Sequence, residues 1–139
     1  MWSSQELEAR FFGAFEHSLD VKGRLTLPAK FRVHFIDRCF VAQSQFGDPC
    51  LAVWLPEDFF GFASKINNDQ WADDDTRRSL RSWAREAFEC EIDKLGRIAL
   101  PANLRRFASL NKEVLVHGAV GTVELWDPAT WSRYKDEVG

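Results

Sequence analysis

The chain has 139 residues, 45% hydrophobic and 28% charged, the balance of a globular protein with a real core. No apolar run approaches the ~20 residues that cross a bilayer. The opening MWSSQELEAR is polar and acidic, unlike a secretory leader, so a cytosolic protein is expected. A net charge of −3 argues against nucleic acid, but its distribution argues back. Residues 20–38 carry +3 (Lys22, Arg24, Lys30, Arg32 and Arg38 against Asp20 and Asp37), residues 76–106 carry +4, and the remainder carries −10. Two basic segments on an acidic body are the footprint of local phosphate contact.

In chain order, FEHSLDVKGRLTLP reads as a strand, a tight turn at Lys22-Gly23 and a second strand. Asp20 stands before the turn, where a short carboxylate accepts turn N–H groups. Pro28 ends the second strand and suits the start of a helix, AKFRVHF. A strand pair follows, Cys39–Ser44 with Leu51–Leu55, and Pro56 starts a closing helix. Thr76 through Ala87 then reads as an amphipathic connecting helix. Leu80, Trp83, Ala84 and Ala87 share one face, and Arg77, Arg78, Arg81 and Arg85 share the other.

From there the pattern repeats. Residues 93–105, DKLGRIALPANLR, match residues 20–32, DVKGRLTLPAKFR, at seven of thirteen positions with a constant offset of 73. Ala87-Phe88-Glu89 answers Ala14-Phe15-Glu16, and Leu125-Trp126-Asp127-Pro128 answers Val53-Trp54-Leu55-Pro56. Gly96 and Pro101 take the places of Gly23 and Pro28, and a second strand pair, Glu113–His117 with Thr122–Trp126, turns through Gly118 and Gly121. The order is therefore β-β-α-β-β-α, twice, a mainly β (α+β) chain made by tandem duplication. The halves are expected at 14–60 and 87–131, joined by a helical segment at 61–86.

The chemistry lies in the repeated turns. A strand-loop-strand tip with Lys22 and Arg24, and again Lys94 and Arg97, suits DNA, because arginine bonds phosphate or guanine bidentately and a β-ribbon fits a major groove. The same spacing serves a structural pairing of Arg24 with Asp20 and Arg97 with Asp93; the two readings are compatible. Cys39, Cys50 and Cys90 form no CxxC pair and read as small apolar strand residues. His17, His34 and His117 are scattered, so no metal and no cofactor are expected. No nucleophile-base order or phosphate loop stands out, and no enzyme is expected.

D-x-K-G-R-L-x-L-P-A-K-F-R after F-x-x-x-F-E-H closely resembles the first motif of the MraZ family. E-C-E-I-D-x-x-G-R-I-x-L-P resembles its second motif, E-L-W-D-x-x-x-W its C-terminal signature, and the RR-x-x-R segment also looks like the family. The resemblance runs from about Phe11 to Trp131. It implies a swapped-hairpin (double-split) β-barrel shared with AbrB and MazE-type DNA-binding proteins, both halves here coming from one chain as one intertwined structural domain. It further implies a ring-shaped homo-oligomer, associated with the nucleoid, that binds double-stranded DNA at short direct repeats. Those repeats lie in the promoter of the division and cell-wall gene cluster, and the family usually regulates its own operon.

Carried over by motif, the DNA-facing residues are Asp20, Lys22, Gly23 and Arg24, with Asp93, Lys94, Gly96 and Arg97 in the second half. Lys30 and Arg32 are possible auxiliaries. Leu95 replaces the lysine beside the glycine in the second turn, so the first tip is expected to make the stronger contact. Trp54, Phe59, Phe60, Trp126 and Trp131 are candidates for subunit contacts, or, for Trp54 and Trp126 above all, for the core. The alternative function is an antitoxin-like or purely structural ring protein acting through protein partners.

Overall fold

A computed structural model of the protein describes residues 8–138. Most of the opening stretch read as unlike a leader, residues 1–7, lies outside the described residues. The first repeat forms β1 (Ala14–Ser18), β2 (Arg24–Thr26), α1 (Ala29–Arg32), β3 (Arg38–Gln43), β4 (Leu51–Trp54) and α2 (Pro56–Asn67). After α3 (Asp74–Glu86), the second forms β5 (Phe88–Glu91), β6 (Arg97–Ala99), α4 (Ala102–Phe107), β7 (Glu113–Gly118), β8 (Val123–Trp126) and α5 (Pro128–Val138). The expected element order holds throughout.

The pairing is less local than the order. β1 and β2 read as a hairpin, yet among the described residues no ladder joins them: Leu19 and Leu25 form an isolated bridge, and Asp20 N–H donates to Arg24 O. Each finds its ladder in the other repeat, β1 antiparallel to β7 and β2 antiparallel to β6, while β5 pairs with β3 of the first repeat. The order β1-β7-β8-β4-β3-β5 makes an antiparallel sheet, and β2-β6 makes a separate ribbon. The repeats are thus interleaved. Ladder pairing leaves β1 and β5 as edges, so the strands form an open sheet and a ribbon rather than a continuously hydrogen-bonded barrel.

Two cores result. The larger is mainly aliphatic, with Phe11, Phe31 and Phe35 among its members, and lies between ribbon and sheet, where Leu25, Ile98, Leu104, Val41, Val114 and Leu125 are buried. The smaller is largely aromatic, where Phe59, Phe62 and Ile66 of α2 and Trp83 of α3 pack on Trp54 of β4. Asp73 caps α3 by accepting the Thr76 N–H at 2.7 Å, with Asp74 and Asp75 in the first turn. Trp83 and Leu80 pack inward as the periodicity requires, whereas Ala84 is exposed beside Arg81 and Arg85. Trp54, Trp126 and Phe59 are buried in the chain itself, so of the proposed subunit contacts only Phe60 is well exposed, and Trp131 is half-buried. All three cysteines are free and buried, with Cys39 opposite Cys90 across β3 and β5. Among the described residues no helix is long and apolar enough to cross a membrane, and no His/Cys/Asp/Glu group is arranged to hold a metal ion.

The β7–β8 turn differs from its expected chemistry. The residue with positive φ there is Val120 (φ 70°), not a glycine. Gly118 is needed for another reason: a Cβ on it would lie 2.3 Å from the Phe12 nitrogen, because residues 11–13 run directly against β7. Gly118 N–H donates to Gly13 O at 2.8 Å, and Val120 exchanges bonds with Phe11.

Two predictions follow from this packing. Gly118→Ala must push backbone against backbone, and a loss of about 1–3 kcal/mol in urea unfolding is expected; an unchanged midpoint would show that residues 11–13 do not rest on β7. The two repeat-equivalent tryptophans should also respond differently. Trp126 Nε1 donates to Glu124 at 2.9 Å, whereas Trp54 Nε1 is buried with no acceptor, since Ala52 stands where the second repeat has Glu124. Trp126→Phe strips a donor from a half-buried carboxylate and should cost about 1–3 kcal/mol more than Trp54→Phe. Equal losses would sink that account.

Candidate nucleic-acid interface

The local chemistry of D-x-x-G-R is the same in both turns. Asp20 accepts the N–H groups of Lys22 and Arg24, each at 2.9 Å, and its second oxygen takes Arg24 Nε at 2.7 Å. Asp93 accepts the N–H groups of Leu95 at 2.9 Å and Arg97 at 2.8 Å, with Arg97 Nε at 2.7 Å. Gly23 and Gly96 have φ of 74° and 80° and return their N–H groups to the carbonyls of Asp20 and Asp93. That conformation is cheap only for glycine. The structural pairing considered from the spacing is therefore present at both turns. It engages Nε, and among the described residues no acceptor takes the Nη groups of Arg24 or Arg97.

The ribbon brings the turns together. Its register pairs Leu25 with Ile98, both fully buried, and the repeat offset makes Ile98 the counterpart of Leu25. A local two-fold axis therefore passes between them. The flanking bonds obey it: Leu27 N–H donates to Gly96 O at 2.9 Å, and Leu100 N–H donates to Gly23 O at 3.1 Å. Each turn thus rests on a strand of the other repeat.

Two arginines complete the exchange. Arg32 at the end of α1 donates through Nη2 to the Lys94 carbonyl at 3.0 Å, so it serves the second turn, not its own. Arg105 on α4 donates through Nε to Leu100 O at 3.0 Å, and its guanidinium lies over Gly23. The basic side chains Lys22, Arg24, Arg32, Lys94, Arg97 and Arg105 are thereby gathered on the ribbon and its two turns. Lys22 and Lys94 are exposed, as are Val21 and Leu95 beside them; Lys30 is exposed on α1. Sequence reasoning named Arg32 but passed over Arg105. The available signal was that the two occupy the same place in the repeat. Arg77, Arg78, Arg81 and Arg85 are exposed on α3.

The turn bonds hold the Asp20 and Asp93 carboxyls below the usual aspartate range, chiefly through the backbone N–H of Arg24 and of Arg97, with the guanidinium bonds adding to it. A depressed native value contributes stability that is present above about pH 4 and is lost as pH falls through that value. Carboxyl-detected NMR should find both groups titrating below free aspartate. Asp20→Asn and Asp93→Asn should each flatten the fall in thermal midpoint under acid. An acid response equal to wild type would mean that the turns do not hold charged carboxylates.

A family model described as "MraZ protein, putative antitoxin-like" matches residues 10–82 and again 83–138. The two matches meet inside α3 and correspond to the two repeats. A "Transcriptional regulator MraZ" from Desulforamulus reducens is 40% identical over 124 residues, covering 89% of this chain and 86% of the relative. Proteins of the same name from Natranaerobius thermophilus and Acetivibrio thermocellus are 40% and 35% identical over 127 residues, each covering 91% of this chain and 87% of the relative. With both repeats matched and nearly the whole chain aligned, the chain belongs to the MraZ family.

Proposed function

We propose that the chain is a transcriptional regulator that binds double-stranded DNA through the two turns of the β2–β6 ribbon. The observation that carries the reading is the gathering of two D-x-x-G-R turns, distant in sequence, onto one ribbon with basic side chains around it. Membership of a family whose named relatives are transcriptional regulators supports it, and supports a non-enzymatic role. Each arginine, held at Nε by its aspartate, keeps a pre-oriented fork for a phosphate or a guanine edge. Asp20, Gly23, Asp93 and Gly96 build the tips, and Lys22, Arg24, Lys94 and Arg97 make the contacts. Lys30 and Arg32 assist.

The first tip makes the stronger contact, since Lys22 adjoins Gly23 where the second turn carries the apolar Leu95. Two or three cations bind DNA weakly, so the chain works as a ring-shaped homo-oligomer reaching successive direct repeats, with effective concentration raising affinity by a factor of ~10²–10⁴. The target inferred from the family resemblance is the promoter of the division and cell-wall gene cluster, with the operon of the protein itself regulated. The place of action is the cytoplasm, at the nucleoid.

Fluorescence anisotropy with DNA from the protein's own upstream region tests this, at several salt concentrations. Repeat-dependent binding with a steep salt slope is expected, with Arg24→Ala weakening it at least tenfold while sedimentation shows the oligomer intact. Arg97→Ala should do less; an equal effect would overturn the ranking of the tips. Binding that is absent, or indifferent to sequence, would move the function to protein partners, as in the antitoxin-like reading.

A further inference from the structure

We infer that Arg105 and Arg32 are crossed positioning residues, each fixing the DNA-facing turn of the opposite repeat, so that neither tip is complete within its own half. The inference rests on the ribbon's turns being the DNA contact, but its structural core can be tested without DNA.

The packing over the two glycines is reciprocal, although Arg32 bonds a carbonyl of the opposite turn and Arg105 one of its own repeat. A Cβ placed on Gly23 would lie 2.9 Å from Arg105 Cζ and 3.1 Å from its Nε; one placed on Gly96 would lie 2.8 Å from Arg32 Nη1 and 2.9 Å from its Cδ. Each guanidinium thus occupies the space that only glycine leaves open at the turn. Arg105 is anchored by Leu100 O, the residue whose N–H donates to Gly23 O. Arg32 is anchored by Lys94 O, inside the second turn itself. In both cases the arm comes from the helix that follows the partner repeat's strand, α4 for the first turn and α1 for the second.

A lysine could supply the same charge, but not a planar guanidinium that packs over a glycine while bonding a carbonyl. That separates positioning from phosphate contact. A phosphate contact tolerates lysine, and its loss lowers the salt slope by about one. A positioning plane does not tolerate lysine, and its loss acts through the tip that it supports. Each turn's own aspartate fixes Nε of Arg24 or Arg97, and the crossed arginine packs over the glycine of that turn.

The test uses the full chain and four variants: Arg105→Lys, Arg105→Ala, Arg32→Lys and Arg32→Ala. In the free protein, amide NMR should show that Arg105→Lys moves the resonances of Lys22, Gly23 and Arg24 and leaves Lys94 to Arg97 in place. Arg32→Lys should do the reverse. On upstream DNA, at a temperature where every variant is folded, Arg105→Lys and Arg105→Ala should weaken binding alike, roughly tenfold. Arg105→Ala should combine less than additively with Arg24→Ala and additively with Arg97→Ala; Arg32→Ala should show the opposite pairing.

Shifts confined to each arginine's own repeat, or none at either turn, would overturn the inference. So would full affinity in Arg105→Lys with a reduced salt slope in Arg105→Ala, which would mark a phosphate contact. If wild type binds no DNA, the proposed function fails, and the crossed NMR pattern still decides whether these arginines position the turns.

Discussion

The antiparallel contact of Leu25 with Ile98 is the point on which the molecule turns. Neither three-residue strand of the ribbon could persist alone, since its polar backbone would lack a partner and its apolar side chain would remain wet. Set against each other, both backbones are paired and both side chains reach zero exposure over the aliphatic core. The turns, their glycine carbonyls and the crossed arginines inherit their positions from that register. A slip by one residue would turn Leu25 and Ile98 outward and separate each turn from its support.

A second axis point lies in the sheet, where Ala52 pairs with Glu124 between β4 and β8. Here the halves have drifted apart. Glu124 answers the Trp126 N–H and, being shielded from water, titrates above the usual glutamate range. Ala52 leaves Trp54 unanswered, but makes room for α2 and α3 to close an aromatic core on that face. The structural consequence is an asymmetric pair of outer surfaces beneath a nearly symmetric ribbon. The D-x-x-G-R turns have kept every bond in common, while the flanks have diverged around them.

Much of this was legible in the sequence, for identifiable reasons. The duplication was visible because turn chemistry is local: aspartate, glycine and arginine at fixed spacing specify one loop wherever it occurs. The helices were visible through Pro28, Pro56 and the periodicity of Leu80 and Trp83. Strand partners were not. Leu19-Asp20 and Arg24-Leu25 flank a tight turn, and nothing in fourteen residues tells β1 to prefer β7, nor β2 to prefer β6. That choice is made by burial across about 100 residues of sequence separation for β1 and β7. Arg105 was missed for the same reason. Its charge was plain, but its target lies in the other repeat. Gly118 was assigned to a turn although its role is to admit the backbone of Phe12, a contact with no local signature.

The cross-repeat design also explains how one chain can hold two unequal tips. Were two identical chains each to supply one such turn, any change in one turn would appear in both. With the duplication fused, Lys22 can remain beside Gly23 while Leu95 occupies the same place in the second turn. The two turns are then free to differ in what they present to solvent. Yet the freedom is limited by the exchange itself. Gly23 is hemmed in by Arg105 and Gly96 by Arg32, so a change at either turn is felt by a helix of the other half. Residues facing solvent, such as Val21, Lys22 and Leu95, can vary at little structural expense. Those facing the opposite repeat cannot, and that division separates what this ribbon can change from what it must keep.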